Sequence, residues 1–128
     1  NLKNLETIFL RDSQIMDISP LASLHNLDSI YLEKNSVSDI SALSDMGTLF
    51  SLQLGENKIS DVSPLSNLTI LRSLDLYSND IEDISPLLGN FSMGRTGQVV
   101  LIGNPLSSEA VNIQIPKLEN KGITVDWK

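Results

Sequence analysis

The feature that most constrains this chain is a spacing. The segment Leu5-Glu6-Thr7-Ile8-Phe9-Leu10 returns as Leu27-Asp28-Ser29-Ile30-Tyr31-Leu32, as Leu49-Phe50-Ser51-Leu52-Gln53-Leu54 and as Leu71-Arg72-Ser73-Leu74-Asp75-Leu76. Each copy starts 22 residues after the one before, and a fifth, Thr96-Gly97-Gln98-Val99-Val100-Leu101, starts 25 residues later without its first leucine. An asparagine follows in constant register as Asn35, Asn57, Asn79 and Asn104, with Ser13 in that place in the first copy. Behind it run further apolar columns: Ile15, Val37, Ile59, Ile81 and Leu106, then Ile18, Ile40, Val62 and Ile84, then Leu21, Leu43, Leu65 and Leu87. A single coil of about 22 residues cannot bury its own columns, so it is stable only when the next coil stacks on it and covers them.

Local structure follows from the same spacing. Leu-x-Leu alternation reads as a short strand, and stacked coils set these strands side by side as a parallel sheet. Ser19-Pro20-Leu21, Ser63-Pro64-Leu65 and Ser85-Pro86-Leu87 predict a helical turn with Ser as N-cap and Pro at the first helical position. Few residues remain in each coil, so a 3₁₀ turn fits better than an α-helix. The Asn column is structural, because a buried carboxamide can serve turn amides and carbonyls of its own and adjacent coils.

The pattern L-x-x-L-x-L-x-x-N, with Ile and Leu columns behind it, resembles the leucine-rich repeats of the 22-residue, internalin-like class over positions 2 to about 106. The resemblance implies an α/β leucine-rich repeat solenoid with a parallel β-sheet on a concave face, short 3₁₀ turns on a convex face, and binding of a macromolecule on the concave side. Leu2 precedes Leu5 as Leu24 precedes Leu27, and no initiator Met is present, so the repeats of residues 1–106 are expected to start inside a coil as a fragment of a longer protein. Residues 107–128 read as a C-terminal cap. Ser107-Ser108-Glu109 starts a helix, Gly122 stops it, and Ile123-Thr124-Val125-Asp126-Trp127 alternates as a last strand that hides the open edge. The three extra residues before the fifth copy fall in 88–97, expected to be a loop.

Composition excludes several classes of function. A net charge of −7 over 128 residues argues against nucleic acid, whose phosphates need a Lys/Arg stripe. No apolar run approaches the roughly 20 residues of a membrane span, so no insertion is expected. No cysteine is present, which removes disulfides and thiolate chemistry and separates the chain from cysteine-capped extracellular repeats of animals.

Alternation also predicts the exposed face. If Ile8 and Leu10 point inward, then Thr7, Phe9 and Arg11 point out. The same rule exposes Ser29, Tyr31 and Glu33, then Ser51, Gln53 and Gly55, then Ser73, Asp75 and Tyr77, then Gln98, Val100 and Ile102. Asp12, Lys34, Glu56 and Ser78 follow at the rim. Both tyrosines and one phenylalanine fall on this face of a chain that is only 5% aromatic. Exposed aromatics are typical interface anchors, although cross-strand packing alone also explains such a set. The candidate partner-binding residues are therefore Phe9, Arg11, Tyr31, Glu33, Gln53, Asp75, Tyr77, Val100 and Ile102.

Other signals carry less. Asp17, Asp39, Asp61 and Asp83 stack in one column, but calcium loops cluster several carboxylates in one short segment. Amide hydrogen bonds at the turn explain the column better, and no metal or other cofactor is expected. Residues 89–96 superficially resemble a phosphate-binding loop with Arg95 where a lysine belongs. His25 is a lone histidine between coils, expected at the surface, and catalysis would need converging partners for it. Asn67-Leu68-Thr69 and Asn90-Phe91-Ser92 match the N-glycosylation pattern, which short Asn/Ser-rich text produces by chance. The expectation is thus a non-enzymatic module that binds a protein, with a glycan as the lesser choice of ligand. Its expected setting is a bacterial or archaeal surface or secreted protein. An architectural spacer and a cytoplasmic regulatory subunit binding a phosphatase-like partner are the alternatives.

Overall fold

The computed structural model describes residues 2–90 and 97–128. Six short strands form one sheet in chain order: β1 (Thr7–Phe9), β2 (Ser29–Tyr31), β3 (Ser51–Gln53), β4 (Ser73–Asp75), β5 (Gly97–Val100) and β6 (Ile123–Asp126). All neighbours pair in parallel, with Ile8, Ile30, Leu52, Leu74 and Val99 in one row across the sheet. Ser29 pairs Ser51 and Ser51 pairs Ser73, but Ser73 pairs Gln98, so the longer fourth coil is absorbed before β5 without disturbing the register. Most of the expected loop and of the phosphate-loop look-alike lies outside the described residues; Gly89 and Asn90 follow a 3₁₀ turn rather than a strand.

Stacking closes the core as the columns predict. Ile30, Leu52, Leu54, Leu76, Leu101, Val37, Ile59, Ile81, Leu43, Leu65 and Leu87 are sealed from solvent. Each such side chain contributes roughly 1.5–3 kcal/mol through its buried apolar surface. Leu5, Ile8, Leu10 and Ile15 of the first coil are only partly buried, since among the described residues no coil packs on their other side. Asn90 occupies the column of Leu24, Met46 and Leu68; it is buried and donates its carboxamide N–H to the Leu65 carbonyl at 2.5 Å. A glycan could not be attached to a side chain so placed, whereas Asn67 is exposed.

The opposite side carries 3₁₀ turns at Ser19–Ser23, Ser41–Leu43, Ser63–Leu65 and Ser85–Leu87. Their caps correct the sequence expectation. Ile18, Ile40, Val62 and Ile84 hold the cap positions without a side-chain bond, the serine is the first helical residue, and the prolines of the Ser-Pro-Leu turns come one position later than expected. The capping oxygen comes from the aspartate two residues before each serine. Asp17, Asp39, Asp61 and Asp83 accept the N–H of Ser19, Ser41, Ser63 and Ser85 at 2.8, 2.9, 2.8 and 3.0 Å. The serine amide is the first free donor of the turn, and an Asp side chain reaches it from the preceding bend.

The end of the stack is closed by a helix. The Ser107 hydroxyl accepts the Ala110 N–H at 3.0 Å, as an N-cap does. The chain then winds as a π-helix over Ala110–Gln114 and as α1 (Ile115–Glu119). Pro116 lacks a donor and would collide with a regular upstream turn, which accounts for the widening before it. Gly122, at φ +85°, turns the chain into β6.

Candidate binding face of the sheet

The asparagines tie each coil to the one before. The Asn57 carboxamide donates to Leu32 O and Leu54 O, both at 3.0 Å, and its oxygen accepts the Val37 N–H at 3.0 Å. Asn79 does the same with Leu54 O, Leu76 O and the Ile59 N–H, and Asn35 with Leu10 O, Leu32 O and the Ile15 N–H. Asn104 repeats the pattern with Leu76 O, Leu101 O and the Ile81 N–H. Ser13 stands apart, because its hydroxyl turns back to the Arg11 carbonyl of its own coil.

Just before each asparagine, and before Ser13 in the first coil, the backbone is left-handed. Asp12, Lys34, Glu56 and Ser78 have φ of 54°, 57°, 56° and 49°, and Gly103 takes the same place at 81°. This turn ends the strand and swings the Asn side chain under the sheet. The rim residues were located from the repeat, but their strain was not anticipated. Gly103 in that column was the one sequence signal for it.

On the outer face of the sheet the side chains form three columns. The first holds Thr7, Ser29, Ser51, Ser73 and Gln98, with Gln53 of the second column donating its carboxamide N–H to Ser51 Oγ and Ser73 Oγ at 3.1 and 3.0 Å. The second holds Phe9, Tyr31, Gln53, Asp75, Val100 and Asp126. Phe9 and Tyr31 stack with centroids 4.6 Å apart and planes at 15°, and Phe9 remains 73% exposed. The third column continues through Arg11, Glu33, Gly55, Tyr77 and Ile102; Tyr77 is 42% exposed. Lys34 and Glu56 form an exposed rim ion pair at 4.0 Å, which adds little stability.

One part of this face went unforeseen. Val100 and Ile102 line a shallow recess of about 300 Å³ together with Val125, Asp126, Trp127 and Lys128. Lys128 Nζ lies 4.7 Å above the Trp127 ring. Trp127 falls at the end of the alternating last strand of the cap, and its ring borders the exposed face. The parallel register of β5 and β6, Val100 opposite Asp126, was the missing information.

Elsewhere, His25 is exposed in a recess of about 330 Å³ with Lys3, Ser23 and Asn26, and no hydrogen bond joins its ring to another described side chain. Among the described residues no group of three His, Asp or Glu converges as metal ligands, and no helix is long and apolar enough to cross a membrane.

The comparisons agree with this architecture. A sequence model of the family described as leucine-rich repeats (2 copies) matches residues 3–45. An internalin (inlC2) from Listeria monocytogenes is 31% identical, with a TM-score of 0.77 over 98% of this chain and 53% of its own. A second internalin (inlF) from the same species is 30% identical, with a TM-score of 0.76 over 93% of this chain and 33% of its own. A leucine-rich repeat protein of Leptospira interrogans shares the fold at 20% identity and a TM-score of 0.82. This chain thus spans between about a third and a half of the length of these relatives. No curated protein matches it in sequence. Repeat length, sheet, 3₁₀ turns and cap together define a leucine-rich repeat solenoid of the 22-residue, internalin-like class.

Proposed function

We propose that the chain is a non-enzymatic protein-binding module whose outer sheet face, the concave face of such solenoids, receives the partner. Leucine-rich repeat domains typically mediate protein–protein contact, and the two internalin relatives point to the same kind of role in a bacterial surface or secreted protein. The observation that carries the proposal is the Phe9–Tyr31 stack, with Phe9 73% exposed and Tyr77 42% exposed on the same face. Large rings left in water on a regular sheet lose their apolar contact area until something covers them, and such rings dominate interface energies. Phe9, Arg11, Tyr31, Glu33, Gln53, Asp75, Tyr77, Val100 and Ile102 form this proposed surface.

The test is capture of protein partners by immobilised wild-type domain and by a Tyr31→Ala/Tyr77→Ala double variant. Loss of capture with an unchanged circular dichroism spectrum is expected, while Ser60→Arg on the opposite side retains capture. Equal capture by the double variant would leave a spacer role instead.

A further inference from the structure

We draw no further inference here: the strongest candidate, the recess of about 300 Å³ on the outer sheet face where β5 meets β6, belongs to the proposed binding face already described, and nothing in the structure shows what covers it.

Discussion

Asn57 donates its side-chain amide to the Leu32 carbonyl at 3.0 Å, 25 residues back along the chain and one coil down the stack. That bond and its relatives replace the β-ladder where each strand ends. A solenoid of this kind has no helix or long strand to satisfy its turns. One carboxamide per coil does so instead, and it joins neighbours in the same act.

Asn57→Leu keeps the volume and removes every one of these bonds. The Val37 N–H loses its partner inside the stack, and the Leu32 and Leu54 carbonyls are left with the bonds from Asn35 and Asn79 alone. The expected loss is about 1–3 kcal/mol or more, read from urea unfolding. Ser13→Ala, by contrast, forfeits only an exposed bond to Arg11 O and should shift the midpoint little.

Gly103→Ala should be costly for two reasons. Its φ of +81° is unfavourable for any L side chain, and a Cβ would lie 2.7 Å from Ser78 Oγ and 3.3 Å from the Ser78 backbone. The conformational penalty alone is about 1–2 kcal/mol. Glu56→Gly goes the other way at the equivalent place, φ +56°. Relief of strain there is set against the added freedom of the unfolded chain, roughly 0.5–1 kcal/mol, so the midpoint should hold or rise slightly. A Gly103→Ala variant as stable as its parent would contradict the left-handed column.

Acid should weaken the fold through the turn aspartates. The backbone N–H groups of Ser19, Ser41 and Ser85, and after them the serine hydroxyls, hold the carboxyls of Asp17, Asp39 and Asp83 below the usual 3.8; Gln114 adds to the effect at Asp83. The unfolded chain then takes up protons first as pH falls. Stability from these groups is complete above the unfolded value and is lost as pH drops through the lower folded values. The urea midpoint should be flat from about pH 7 to pH 5 and fall below about pH 4. Asp17→Asn/Asp39→Asn/Asp83→Asn should flatten that decline, and an unaltered slope would assign it to other carboxylates.

Gln114 joins the cap to the last full coil. It is 5% exposed, accepts the Ile84 N–H at 2.9 Å and donates to the Asp83 carboxylate at 2.7 Å. Gln114→Leu strands the Ile84 amide and should cost about 1–3 kcal/mol. Hydrogen exchange gives the sharper test: faster exchange should begin in residues 110–126 and reach β5, leaving β2 and β3 protected.

The repeat was readable because its chemistry is local and its period is constant. Leu27, Ile30 and Leu32 recur in a register that only stacked coils satisfy, and the same spacing exposed the Asn column and the outward face, while local signals marked the Ser107 start and Gly122 stop of the last helix. Tertiary structure decided what depends on the adjacent coil. It drove Lys34 and Glu56 into a left-handed backbone that neither residue type favours, brought Gln114 against Asp83 and tipped the Asp75 carboxylate toward Gly55. Periodicity records which residue lies in which column. The direction of a polar side chain within its column is set by the donor or acceptor that the next coil places beside it, and that information exists only once the coils are stacked.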